Sequence, residues 1–282
     1  MSKRASQARA LEQKYFTILS IFAGVAALLV IVGFVSKPPA LDSDGCPESP
    51  SKRLKKAAVL LIDTTDELNG MRADNVKTMA RDIAKQMDQY ERLSVFVLNA
   101  DTTAELRPVF SKCTEGNGSA LDFLYKGNRD RSAGKDAKFE SELSNVLDAE
   151  MAKQHSAKAT PLFESIRDMR QSQYWAEHTS FYLISDLMEH SGVVSLYDRN
   201  ANFDKSSQTS SGQMLKNINL DGTSVEYCVI ERPANSSEFA AQENARIFWQ
   251  MFFEDSKSCA FELCQPTKNE FFNKNKCARG KT

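Results

Sequence analysis

Short apolar runs and segments with helical spacing alternate along most of this chain. Continuous apolar runs bounded by polar residues are typical of strands that are buried on both faces of a sheet. Such runs predict strands at residues 57–62, 93–98, 181–184 and 225–230, with shorter ones at 106–110 and 259–263.

Helices are predicted between these strands. Apolar residues at positions 76, 79, 80, 83 and 87 share one face of a helix, and residues 139–147 repeat the pattern. Thr160 followed by Pro161 is typical of a helix start, and Asn235 with Glu238 resembles a capping pair for the next helix. The alternation predicts an α/β domain with a doubly wound, mostly parallel sheet and helices on both faces.

One apolar run is much longer than the others. The twenty residues 16–35 contain no charged side chain, and a helix of about 20 apolar residues spans the core of a bilayer. A cleaved signal peptide would have a shorter apolar region and a small-residue cleavage site, and a buried helix would keep a polar face. We therefore expect an uncleaved transmembrane anchor at residues 16–36.

The charges around this run predict how the chain is oriented. Four basic residues precede it, whereas only Lys37 follows closely. The positive-inside rule then places residues 1–15 in the cytoplasm and the C-terminal part in the periplasm or outside the cell. After the anchor we expect a Pro-containing linker at residues 37–56, a folded domain at 57–264 and a basic tail at 265–282.

The cysteines agree with an oxidising compartment. All six follow the predicted anchor, and an even number is what a set of disulfide bonds requires. Fifteen connectivities are open. Zinc is disfavoured because there is no C-x-x-C pair and no nearby histidine. The disulfide candidates are Cys46, Cys113, Cys228, Cys259, Cys264 and Cys277.

Composition narrows the classes of function. The formal net charge is −1, so the sequence does not indicate a nucleic-acid-binding surface. There is no G-x-S-x-G motif, and no other nucleophile and base are recognisable. We therefore expect a protein that is not an enzyme and that has no small-molecule substrate.

Polar side chains follow the predicted strands where ligands bind in α/β sheets. The first strand ends at Asp63, with Thr65 and Glu67 close behind, and a later strand ends at Asp186. Thr160 lies at a predicted helix start between them. Carboxylate and hydroxyl oxygens from such loops can surround one hard divalent cation, which predicts Mg²⁺ or Mn²⁺ rather than zinc.

These residues resemble the metal-ion-dependent adhesion site of the von Willebrand factor A (integrin I-like) domain family. That site has the motif D-x-S-x-S, a distant Thr and a distant Asp. Asp63 matches the first Asp, Thr65 the first Ser, Thr160 the Thr and Asp186 the second Asp. The resemblance covers roughly residues 57–264 and implies a von Willebrand factor A-like fold that holds a protein partner through a metal ion.

One position departs from the family pattern. Glu67 stands where the family has its second Ser. This carboxylate could act as an additional metal ligand, but its negative charge would weaken the bond to an acidic residue from a partner.

Three functions follow as hypotheses. The first is a membrane-anchored module that uses the metal site to hold a protein partner in the cell envelope or at the cell surface. The second is a metal-free structural scaffold of an envelope assembly of the secretion or conjugation type, which Glu67 favours. The third, and weakest, is a metal-dependent hydrolase.

Overall fold

The structure is a computed structural model, and it describes residues 15–28, 40–48, 55–66, 70–99, 106–114, 129–153 and 157–262. The chain divides into two compact units, Met1–Ala40 and Leu41–Thr282.

In the first unit, residues 15–28 are helical. Its large apolar side chains are exposed, including Phe16 at 74%, Leu19 at 72% and Phe22 at 72%. Among the residues that the structure describes, no helix combines the length and the apolar character needed to cross a membrane. Residues 29–36 of the predicted anchor lie outside the described part of the chain.

The second unit is built on a six-stranded sheet with the strand order β3-β2-β1-β4-β5-β6. All neighbouring strands are parallel except β2 and β3, which are antiparallel. This confirms the predicted mixed α/β class with a mostly parallel sheet. The strands are β1 Lys56–Asp63, β2 Arg92–Leu98, β3 Phe110–Cys113, β4 His178–Ser185, β5 Ser224–Val229 and β6 Cys259–Glu262.

Helices pack on both faces of this sheet. Successive side chains of a strand point to opposite faces, and in the central strands the side chains on both faces are apolar. On one face, Val59 and Leu61 pack in a core with the third and sixth helices of this unit. On the other face, Leu60 and Ile62 pack with the first two helices of this unit. The helices are α1 Gly70–Gln86, α2 Arg129–Met151, α3 Leu162–Gln171, α4 Phe203–Ser207, α5 Gln213–Asn217 and α6 Phe239–Asp255.

Two predicted boundaries near the sheet and α6 are wrong. The third strand is Phe110–Cys113 rather than residues 106–110, because pairing with β2 begins where Phe110 lies opposite Val95. Helix α6 begins at Phe239, and Glu238 in the N-cap position makes no side-chain capping bond. The predicted capping pair of Asn235 and Glu238 is therefore not what starts this helix.

The start of the third helix also differs from the prediction. Pro161, not Thr160, occupies the N-cap position of α3, and no side chain of that residue caps the helix. Thr160 instead forms an antiparallel bridge with His190. Its hydroxyl is therefore available for a different contact, described below.

A disulfide fastens the segment before β1 to the edge of the sheet. Cys46 is bonded to Cys113, and the backbone N–H of Cys113 donates to Asp44 O at 2.9 Å. Cys113 lies opposite Arg92, the first residue of β2. The segment is thus attached where the parallel strands begin.

The structure confirms part of the disulfide prediction. Besides the Cys46–Cys113 bond, Cys228 and Cys259 each take part in a disulfide bond. Cys264 and Cys277 lie outside the described residues.

Candidate functional site

Three of the four predicted site residues form one chain of hydrogen bonds. Asp63 ends β1, and its Oδ1 accepts from the Thr65 backbone N–H at 3.0 Å and from the Thr65 hydroxyl at 2.6 Å. The Thr160 hydroxyl, just before α3, donates to Thr65 Oγ1 at 3.0 Å. All three residues are buried, so this oxygen-rich cluster is a fixed part of the carboxyl edge of the sheet.

Ser185 completes the surroundings of Asp63. It is the last residue of the neighbouring strand β4, and its hydroxyl donates to Asp63 Oδ2 at 2.6 Å. The same hydroxyl accepts from the Leu187 N–H at 2.8 Å. Burial raises the pKa of Asp63, and the bonds from Ser185 and Thr65 oppose this rise by stabilising the carboxylate.

The fourth predicted residue, Asp186, is bound to an arginine. Its Oδ2 accepts from Arg232 Nε at 2.8 Å and also from Arg232 Nη2, while its Oδ1 accepts from the Met188 N–H at 2.9 Å. Burial and the charge of Asp63 raise the pKa of Asp186 to about 7, and the guanidinium opposes that rise. Asp186 is therefore close enough to Asp63 to feel its charge, but it is paired with Arg232.

Arg232 reaches several acceptors from a single position. Its Nη2 also bonds to Asp66 and donates to the Tyr197 hydroxyl at 3.0 Å, and the guanidinium carbon lies 5.4 Å from the centre of the Tyr197 ring. Its Nη1 lies 3.6 Å from Glu238 Oε2. The guanidinium is thus surrounded by anionic and aromatic groups, which is the environment that this cation favours.

Gln242, on α6, fixes the main chain on both sides of this ion pair. Its Oε1 accepts from the Arg232 backbone N–H at 2.9 Å, and its Nε2 donates to Asp186 O and Ile230 O, each at 2.9 Å. Gln242 is 1% exposed. Because one buried amide ties both backbones together, the pairing of Asp186 with Arg232 is built into the fold.

A cleft of about 130 Å³ opens beside these residues. Its charged lining consists of three carboxylates and two guanidinium groups, and apolar contact comes from Ile230 and Pro233. The cleft lies between the carboxyl ends of β1, β4 and β5, where ligands bind in sheets of this type. The charged residues are Asp63, Asp66, Asp186, Arg72 and Arg232.

The loop after β4 also holds α3, the helix that follows Thr160, through Glu189. This carboxylate is fully buried, and its Oε2 accepts from the N–H groups of Leu162 and Phe163 at 2.7 and 3.2 Å. It therefore caps α3 from a distant position in the chain. Burial raises the pKa of Glu189 well above its ordinary value, and the charge of Glu164 adds to the rise.

The residues fit a divalent cation only in part. Asp63, Thr65 and Thr160 offer the oxygen ligands that Mg²⁺ and Mn²⁺ prefer. In the part of the chain that the structure describes, His, Cys, Asp and Glu do not gather in groups of three or more that could hold a metal, so a site would depend on the threonine hydroxyls. Asp186 fits less well, because Arg232 already holds its Oδ2.

The remaining candidate, Glu67, lies outside the described residues. Sequence reasoning missed Ser185, Arg232 and Gln242 as members of the site. The position of Arg232 in the sequence could have indicated its place in the site. Arg232 follows the buried strand β5, and the carboxyl ends of parallel strands meet at one edge of the sheet.

No family model matches this sequence, and no curated protein matches it. One similar solved structure is a mutant of the PilB minor pilin from Streptococcus sanguinis, with 10% identity and a TM-score of 0.40. The match covers 76% of this chain and 58% of that chain.

Proposed function

We propose that this chain is a membrane-anchored binding module that holds a protein partner in the cell envelope. The observation that carries the proposal is the convergence of Asp63, Thr65, Thr160 and Asp186 at the carboxyl edge of β1 and β4. Strand order changes direction between these two strands, and α/β sheets bind their ligands at such points. The doubly wound, von Willebrand factor A-like architecture belongs to the same proposal.

The N-terminal helix supports the anchor. A helix whose apolar side chains are exposed all round is stable when lipid or protein covers it. Residues 15–28 have this character, with Phe16, Leu19 and Phe22 all more than two-thirds exposed. Together with the uncharged residues that follow, they support a single-pass anchor with the C-terminal unit in the periplasm or outside the cell. The Cys46–Cys113 disulfide fits an oxidising compartment.

The attachment of the preceding segment supports the same role. The Cys46–Cys113 bond fastens this segment at the end of the sheet where the parallel strands begin. The candidate site lies at the opposite end, roughly 23 Å away along an eight-residue strand. A partner can therefore occupy the carboxyl edge without competing with this segment.

Site-specific photocrosslinking in intact membranes tests the proposal. Crosslinkers would replace Asp66, Tyr197 or Pro233, which are exposed at the carboxyl edge, and in matched controls Asp88 or His178, which are exposed at the opposite edge. We expect one protein to be captured from all three carboxyl-edge positions and from neither control. Equal capture from both edges, or capture from the control edge alone, would contradict the proposal.

Two forms of this function give different results with a chelator. If Mg²⁺ or Mn²⁺ bound by Asp63, Thr65 and Thr160 completes the partner contact, EDTA should abolish the carboxyl-edge crosslinks. The oxygen-only cluster favours this form. If the module is a metal-free scaffold of an envelope assembly, the crosslinks should survive EDTA. The ion pair between Asp186 and Arg232 favours the scaffold.

A further inference from the structure

The cation at Asp186 comes from the chain itself. Arg232 donates to Asp186 Oδ2 through Nε and Nη2, and the Met188 N–H occupies Oδ1. Both carboxylate oxygens are therefore engaged within the protein. A divalent cation at this carboxylate would have to approach a guanidinium that already neutralises it, which costs Coulomb energy.

This pair is not an incidental surface contact. The side chains of Arg232 and Asp186 are 15% and 11% exposed, whereas surface ion pairs contribute little. Gln242 holds the backbones of both residues, so their spacing does not depend on the side chains alone. The guanidinium donates twice to one oxygen, Oδ2, and hydrogen bonds between charged groups are stronger than those between neutral groups.

We propose that Arg232 supplies, from within the chain, the positive charge that a divalent cation would otherwise supply at Asp186. The charges lining the cleft agree with this role, because among the described lining residues the removal of Arg232 would leave three carboxylates and one cation, Arg72. Such a cleft is expected to gain affinity for a hard cation, with Asp63 and the threonine hydroxyls as further oxygen ligands. The inference rests on the proposed function only for the location of the site, and of the two forms of that function it selects the metal-free one.

Thermal unfolding of the full chain in detergent micelles tests this inference. Trp175 and Trp249 are the two tryptophans of the chain and both are buried in one core, so their fluorescence reports unfolding of the sheet unit. For the wild type we expect the Tm in Mn²⁺ and in EDTA to agree within about 1 °C. For Arg232→Gln we expect a Tm in EDTA that is roughly 6–20 °C lower, with at least half of the loss restored by Mn²⁺.

Two further variants make the result specific. Arg199→Gln removes an exposed guanidinium whose hydrogen bond within the described part of the chain is to the Ser237 carbonyl, and it should change neither the Tm nor the response to Mn²⁺. Adding Asp63→Asn to Arg232→Gln should abolish the restoration, because the second carboxylate of the cation site is lost.

The inference is overturned if Mn²⁺ raises the Tm of the wild type as much as it raises the Tm of Arg232→Gln. It is also overturned if Mn²⁺ fails to restore the Tm of Arg232→Gln. Restoration that persists in the double variant would also overturn it, since the ion would then bind elsewhere. None of these outcomes involves a partner. The photocrosslinking result can therefore fail while this inference holds, and the reverse is equally possible.

Discussion

The buried carboxylate of Glu189 accepts a 2.7 Å hydrogen bond from the backbone N–H of Leu162, the first residue of α3. A second bond comes from Phe163. Helix N-termini usually obtain such acceptors from a residue next to them in sequence, but here the acceptor comes from the loop after β4. The loop that carries Asp186 and the helix that follows Thr160 are therefore joined directly.

Replacing Glu189 by alanine should destabilise the fold. Glu189→Ala removes the buried carboxylate acceptor from the N–H groups of Leu162 and Phe163 and leaves Leu162 with the Thr160 carbonyl at 3.0 Å, at a cost of about 1–3 kcal/mol. Urea unfolding followed by tryptophan fluorescence measures this loss. The control is Glu189→Gln, which retains an acceptor oxygen and should lose less stability than Glu189→Ala. Equal losses in both variants would show that the capping bonds do not carry the effect.

Glu189 should also make stability depend on pH. Burial raises its folded-state pKa well above the ordinary value of 4.5, so between those two values the folded state holds a proton that the unfolded state has lost. The stability from this group is complete below pH 4.5 and is lost as the pH rises through the folded-state pKa. The free energy of unfolding of the wild type, minus that of Glu189→Gln, should therefore fall as the pH rises from 4.5. A difference that is flat or rises with pH would contradict this.

The bond between the hydroxyls of Thr160 and Thr65 should appear as an energetic coupling. Thr65→Val and Thr160→Val each remove one partner of the 3.0 Å contact and leave the other hydroxyl buried. We expect the double variant to be less destabilised than the sum of the single variants, with a coupling of about 0.5–1.5 kcal/mol. Urea unfolding of all four proteins gives this value. Additive effects would mean that the two hydroxyls act independently.

Loss of the disulfide between Cys46 and Cys113 should lower stability through the unfolded chain. The two cysteines are 67 positions apart, and a loop of that length corresponds to about 4 kcal/mol in the chain-entropy model. We expect Cys46→Ala with Cys113→Ala to lower the free energy of unfolding by about 2–4 kcal/mol. Ser94→Ala, which removes a hydroxyl contact between β2 and Ser111 of β3, the strand that carries Cys113, is the control. A double variant as stable as this control would contradict the prediction.

Sequence patterns predicted the central strands because the apolar run that marks each strand lies within the strand itself. Residues 58–62 of β1 are continuously apolar, since both faces of this strand are covered, and the structure buries all of them. The edge strand β3 was misplaced because it is short and only half buried. Its position depends on pairing with β2, which is a tertiary contact rather than a property of the segment.

The same distinction explains what was found of the candidate site. Asp63, Thr65 and Thr160 were predicted together, and the structure joins them by hydrogen bonds. The partner of Asp186 was missed because Arg232 lies 46 residues later. That pairing could be predicted only after β5 was known to lie beside β4. The role of Glu189 was missed for a similar reason, since it caps a helix that begins far earlier in the chain.

The disulfide at the sheet edge also determines how the second unit would respond to mechanical load. A pull on the chain before Leu41 reaches Cys46 first, and from there it has two covalent routes into the sheet. One continues along the chain to β1, and the other crosses to Cys113 at the end of β3. With the bond intact, the edge strand and the central strand share the force. With the bond reduced, the whole force passes to Lys56, the first residue of β1.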